Sequence, residues 1–313
     1  MIALPVHYVG ADISKPTIDL GCPGLKLPAV IANSSAGFAR LFKGLASCPQ
    51  PVHIVCEATG PYHRAFAAAL HQVGIPVSVV NPRLPRDFAR SRGQLAKTDR
   101  IDALMLADFG RTLLPKPTPR PEEHTLLLDD LVTRRIQLVE DRAREQNRLQ
   151  QMTRPEILTS LKRHLRHLTV QIDKLESRIG EVIKTTPALS AKVKILVAVQ
   201  GVGVVTASAL LACLPELGTL SGAEVASIAG LAPFNRDSGA FRGTRSIRGG
   251  RKEVRQALYM AALSATQCNP IVREVYLRLK ARGKHHHVAL TAVMRRLLVY
   301  LNSLLTSPIP SIP

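Results

Sequence analysis

Before a proline-rich stretch at residues 115–121, the chain has only seven acidic residues: Asp12, Asp19, Glu57, Asp87, Asp99, Asp102 and Asp108. Four of them sit where carboxylates can act together. Asp12 follows one apolar, β-branched run and Glu57 directly follows another, and carboxylates at the ends of neighbouring strands converge above a sheet. Asp99 and Asp102 are three apart in a helical segment, so they share a face. Four such groups repel one another unless cations lie between them. Hard oxygen donors suit Mg²⁺ (or Mn²⁺), and a two-metal site for phosphoryl transfer draws carboxylates from several elements. Taken singly, each acid reads equally as a helix cap or a solvated surface group.

The rest of the chain supplies the opposite charge. Its 313 residues carry 42 Lys+Arg against 23 Asp+Glu, a formal charge of +19. That surplus favours a polyanionic partner. Tryptophan is absent and aromatics are 4%, which argues against base stacking as the main grip and for phosphate-backbone contact. Residues 234–284 hold 12 Lys+Arg and 3 Asp+Glu. Within them a glycine-rich loop carries Arg236, Arg242, Arg245, Arg248 and Arg251, with Arg255 one helical turn further on. Such a segment can wrap a phosphodiester while its guanidiniums neutralise it. Ser238, beside Gly239, is a candidate nucleophilic hydroxyl, and Ser246 in the same loop is an alternative. The Gly201-Val-Gly203 turn opens a following helix and could hold a phosphate on its N–H groups. A tight turn between packed helices needs no ligand, so both readings stand.

The elements that must position these groups fall into three stretches. Residues 1–121 alternate β-branched runs (6–9, 52–56, 77–80) with helical spacing (38–45, 62–73), an α/β layered pattern closed by a stiff Pro-Lys-Pro-Thr-Pro-Arg-Pro linker. In residues 122–187, Leu161, Leu165, Leu168, Ile172, Leu175, Ile179 and Val182 form an a/d seam predicting a coiled coil. A second helix, at 122–152, precedes it; the two fold back on each other or pair between subunits. Residues 188–313 read as mainly α, with a helix-hairpin-helix-like segment, a Ser221–Glu224 capping box and an Asn269–Pro270 helix start.

Five cysteines in no close pair read as reduced thiols, and the N-terminus lacks a signal-peptide pattern. Residues 195–215 are uncharged and long enough to span a bilayer, but Gln200, Gly201, Gly203, Thr206 and Ser208 interrupt them. Two short helices meeting at the glycine turn are expected there, with no membrane and a cytoplasmic, nucleoid-associated location. His285-His-His287 points in three directions on a helix, and no metal is assigned to it.

As a set, the motifs resemble a known family. Asp12 in Gly-Ala-Asp-Ile-Ser-Lys, Glu57 in Cys-Glu-Ala-Thr-Gly-Pro-Tyr, and Asp99 with Asp102 in Lys-Thr-Asp-Arg-Ile-Asp-Ala resemble a DEDD signature. Gly-Val-Gly, Ala-Gly-Leu-Ala-Pro, Asp-Ser-Gly and Gly-Gly-Arg follow in order. The ordered combination is similar to the insertion-sequence one-ten family of transposases, which includes the pilin-gene DNA invertases. The resemblance implies an RNase H-like (RuvC-like) domain, then a coiled coil, then a helical transposase domain. It implies Mg²⁺-dependent recombination of double-stranded DNA, guided by a structured noncoding bridge RNA. It also implies that Asp12, Glu57, Asp99 and Asp102 are metal ligands and Ser238 the nucleophile. A serine hydroxyl needs activation, which a metal can supply, and a phosphoserine link would conserve the phosphodiester without ATP; no Walker A pattern is present. Because Ser238 lies far along the chain from the carboxylates, a homo-oligomer (dimer or tetramer) with a site completed across subunits is expected. Two other readings remain: a junction-resolving nuclease with water as nucleophile, and a non-enzymatic nucleic-acid binder.

Overall fold

A computed structural model of the chain describes residues 6–58, 60–94, 98–234 and 246–306. The chain forms two compact units, Met1–Arg120 and Pro121–Pro313.

The first unit is built on β1 (His7–Ile13), β2 (Thr17–Gly21), β3 (Val30–Ala32), β4 (Val52–Glu57) and β5 (Val77–Val80). They form one mixed sheet in the order β3-β2-β1-β4-β5. β2 pairs antiparallel with both β1 and β3, whereas β4 pairs parallel with β1 and β5 parallel with β4. The strands expected at 52–56 and 77–80 are present, and the first is longer than its apolar run. β2 and β3 were not anticipated: Thr17-Ile-Asp-Leu-Gly alternates polar with apolar and is short. Helices α1 (Ser35–Leu45) and α2 (His63–Gln72) cover one face, where Val9, Ala11, Ile18, Ile54 and Cys56 bury against Phe38, Leu41, Phe66 and Leu70. α3 (Arg83–Ser91) and α4 (Asp99–Leu113) belong to the other face, where Val55 and Val80 meet Leu106 and Phe109.

The proline linker starts as part of this unit. Ser78 Oγ donates to the Lys116 carbonyl at 2.8 Å, and Thr118 N donates to the Val77 carbonyl at 2.8 Å. The buried His53 ring shares the Ser78 hydroxyl at 2.8 Å.

The second unit begins with two long helices, α5 (Glu123–Gln151) and α6 (Pro155–Thr185). They fold back on each other within the chain, the first of the two pairings left open by the heptads. Leu168, Ile172, Ile179 and Val182 of the seam are buried, with Leu138 of α5 facing Leu168 and Ile172. α7 (Pro187–Val197), α8 (Val204–Cys213), α9 (Gly222–Ile228), α10 (Lys252–Cys268), α11 (Pro270–Ala281) and α12 (His286–Thr306) complete it. A small ribbon joins β6 (Pro233–Phe234) to β7 (Ser246–Ile247). The capping box at Ser221 forms both of its bonds, and Asn269 caps α11 as expected.

The uncharged stretch at 195–215 is divided between α7 and α8, with Gly201 in the break at φ 97°. Among the described residues, α12 is the one helix long and apolar enough to cross a membrane. It packs as a core helix instead: Leu290, Val293, Met294, Leu297, Leu298 and Leu301 are buried. Its buried Asn302 accepts from Gly218 N at 2.9 Å and donates to the Leu220 carbonyl at 2.8 Å.

Candidate active site

Strand register sets the site in the first unit. Ala11 pairs with Cys56 in the parallel β1–β4 ladder, so the next residues, Asp12 and Glu57, stand side by side at the strand ends. Side chains alternate along a strand, so Asp12 points to the same face as Gly10, and Glu57 to the same face as Val55. That face is covered by α4. A Cβ on Gly10 would lie 1.9 Å from the Ala103 carbonyl oxygen, and one on Gly21 would lie 2.3 Å from it. Only glycine permits so close a backbone approach. α4 thus rests directly on β1 and β2, with Ala103, Leu106 and Ala107 toward the sheet.

The same stripe of α4 leads back to its first turn. Asp99 precedes Ala103 by four residues and Asp102 precedes Leu106 by four, so both project over the strand ends that carry Asp12 and Glu57. Thr98 caps the helix, its hydroxyl accepting from Ile101 N at 3.3 Å. Acids in a first turn also complement the helix dipole, the bland reason for their presence.

A fifth carboxylate joins this corner. Asp19 on β2 is the direct cross-strand partner of Asp12 and lies on the same face. Burial, and then the charge of Asp99, push its carboxyl above the ordinary carboxylate value. In the sequence Asp19 is one of seven acids with no evident role; the alternation in Thr17-Ile-Asp-Leu-Gly after the Ser-Lys-Pro turn is the signal that places it. Asp108, farther along α4, is the contrasting case. Hydrogen bonds from Arg111, at 2.6 Å, and from Arg92 hold its carboxyl below the ordinary value against a burial penalty.

The backbone therefore brings Asp12, Glu57, Asp99 and Asp102 to one corner of one sheet face. Their side chains do not close into a cage: among the described residues, no group of three or more His, Cys, Asp or Glu could hold a metal ion. Like charges so placed favour rotamers that separate them.

In the second unit, Arg236, Ser238, Arg242 and Arg245 lie outside the described residues. The ribbon flanking them pairs Phe234 with Ser246, and both are exposed, as is Arg248. Arg251 makes a bidentate pair with Glu216 at 2.6 and 2.7 Å and also donates to the Cys213 carbonyl at 3.1 Å. Burial alone would raise the Glu216 carboxyl, but Arg251 overcomes this and holds it below its ordinary value. Arg255 donates to the Ala229 carbonyl at 3.3 Å and to the Gly249 carbonyl. Both guanidiniums thus act as internal struts that fasten the end of the arginine loop. Gly201 packs on α10, where a Cβ would lie 2.5 Å from Ala265 Cβ; Gly203 has open space around it. Sequence reasoning had no access to these partners, which lie far away along the chain.

Two family models match the chain. One, described as a transposase and named for the DEDD domain of IS110, covers residues 9–154. The other, the transposase IS116/IS110/IS902 family, covers residues 193–277. The chain is 29% identical over 306 residues to the pilin gene-inverting proteins of Moraxella bovis and of Moraxella lacunata, spanning 93% of this chain and of each relative. It is also 34% identical over 152 residues to an uncharacterized 43.6 kDa protein of insertion element IS110 from Streptomyces coelicolor, 48% of this chain and 36% of that one. Asp12, Glu57, Asp99 and Asp102 all fall in the first matched segment.

Proposed function

Because the chain belongs to the IS110 family of transposases and is therefore a DNA recombinase, we propose that it cuts and rejoins DNA through a carboxylate-held divalent ion and the Ser238 hydroxyl. Asp12, Glu57, Asp99 and Asp102 are the metal ligands in this reading. The observation that carries it is the register that sets Asp12 beside Glu57 beneath the first turn of α4. The mixed five-stranded sheet supports an RNase H-like catalytic domain over residues 1–121, followed by coiled-coil helices at 122–187 and a transposase domain at 188–313.

When bound, Mg²⁺ (or Mn²⁺) polarises the scissile phosphate and makes a hydroxyl more acidic. The chain's own groups do the rest. The two strand-end carboxylates and the two helix carboxylates present hard oxygens from elements that cannot move independently, since α4 lies backbone to backbone on β1. The Ser238 Oγ–H gives up its proton, an Oγ–P bond forms, and one P–O bond of the DNA strand breaks as its oxygen takes up a proton. A hydroxyl of the incoming strand reverses these changes, restores serine and leaves the number of phosphodiesters unchanged. The exposed Arg248 and the neighbouring arginines Arg236, Arg242 and Arg245 grip phosphates. The turn at Gly201 and Gly203, and Arg251 and Arg255, support that grip. A structured noncoding RNA supplies sequence choice by base pairing, and the working form is a homo-oligomer.

The test is a denaturing gel of the full chain, its co-purified RNA, Mg²⁺ and matching DNA. A covalent protein–DNA adduct is expected, absent in Ser238→Ala. In Asp102→Asn it should fall by about 10²-fold or more, because several kcal/mol of charge stabilisation are removed. An adduct that survives Ser238→Ala but not Ser246→Ala reassigns the nucleophile. Strand cleavage without any adduct would mean that water attacks, and full activity in Asp102→Asn overturns the carboxylate site.

A further inference from the structure

α11 has no buried residue, although it packs through Val272, Val275 and Tyr276 against the core. At 3.6 residues per turn, the opposite side of the helix is settled by that packing. Arg273 and Lys280, two turns apart, lie along one flank of it. Arg278 and Arg282, one turn apart, lie along the other. The exposed Leu277 and Ala281 run between the flanks, and Lys284 continues past the turn at Gly283. Five cations face one carboxylate, Glu274, in residues 270–284.

Helix stability does not account for this. Arg278, Lys280 and Arg282 near the C-terminus do complement the dipole, but Arg273 in the first turn opposes it. No ion pair among the described residues engages any of the five. The helix is nevertheless rigidly seated. Asn269 caps its start, and Tyr276 Oη is 2.7 Å from His286 Nδ1 at the opening of α12. An exposed, seated helix with two basic flanks fits a groove bounded by two rows of negative charge.

We propose that α11 and the turn after it dock along a groove of duplex DNA, the two flanks meeting phosphates of opposite strands. The helix is about 18 Å long at 1.5 Å per residue, and the major groove admits an α-helix. This surface includes none of the loop arginines and rests on the reading of the chain as a DNA recombinase, which it deepens by locating a grip on the substrate.

The experiment measures binding of the full chain to a duplex DNA across a salt series. Arg273→Ala with Lys280→Ala, and separately Arg278→Ala with Arg282→Ala, should each lower the slope of log K against log salt by about 2, near 0.9 per lost phosphate contact. Circular dichroism checks that each variant is folded, and Glu274→Gln should not lower the slope. Unchanged slopes in both folded pairs overturn the proposal. A slope that falls only on duplex RNA of the same length overturns the assignment to DNA. The covalent-adduct assay is run on the wild-type chain alongside, so failure of the catalytic reading (no adduct) is seen separately from failure of this one (unchanged slopes).

Discussion

The α5–α6 hairpin and the carboxylate corner are both dense in charge and arrange it in opposite ways. In the hairpin, arginines have carboxylates one turn away, Arg144 with Asp141, Arg148 with Glu145 and Arg178 with Glu181, and Arg135 reaches across to Glu176 at 2.8 Å. Those charges are satisfied locally and ask for nothing else. At the corner, Asp12, Asp19, Glu57, Asp99 and Asp102 bring one sign of charge to one face. Like charges directly opposite in a sheet cost stability. A divalent cation bound there, as proposed above, would offset that cost. Charge density alone therefore does not distinguish the two regions, whereas the order of signs along their elements does.

The largest effect is expected at the corner. Gly10→Val places side-chain atoms where the Ala103 carbonyl stands, 1.9 Å from the Cβ position. A backbone contact cannot yield, so about 3 kcal/mol should be lost. Hydrogen exchange of β1 and α4 amides reads this unit by itself. Unchanged protection there would mean that α4 does not rest on the sheet as described.

A smaller loss is expected in the hairpin. Glu176→Ala leaves the half-buried Arg135 without its partner and should cost about 1 kcal/mol. Faster exchange of α5 and α6 amides is the readout; no change would place this pair with the inert surface ion pairs.

The smallest effect has the opposite sign. Asp19→Asn should stabilise the first unit by a few tenths of a kcal/mol at neutral pH. The folded unit holds the Asp19 proton more tightly than the unfolded chain, so wild-type stability falls as pH rises from the ordinary value of 3.8 through the raised one. The variant should lack that part of the pH dependence. A loss of stability in Asp19→Asn would show that Asp19 is held by attraction, like the hairpin charges.

The legible parts were those with local causes. β4 and β5 announce themselves as β-branched runs, Ser221 and Asn269 as caps, and the spacing of Asp99 and Asp102 puts them on one helical face. β2 and β3 escaped because two apolar residues in five, or a strand of three residues, exist only by pairing with β1. The heptads foretold that α6 needs a partner and offered α5 as one, but with Arg135 interrupting the α5 seam the packing within the chain shows only once Glu176 stands opposite it. Arg251 and Arg255 looked like phosphate ligands because the sequence shows their charge and hides Glu216 and the Ala229 and Gly249 carbonyls. Asp19 was missed for the same reason: its significance is a register, not a motif.

Asn269 divides its amide between two elements. Its oxygen accepts from Val272 N at 3.2 Å, and its nitrogen donates to the Gln200 carbonyl at 3.4 Å, next to the glycine that seats the α7–α8 corner on α10. The helix bearing the five cations is thereby mounted as a bracket is, fixed at its root to a joint that already binds three others. Groups on a stiff mount keep their spacing before a polymer arrives, so little conformational freedom is lost when it is gripped.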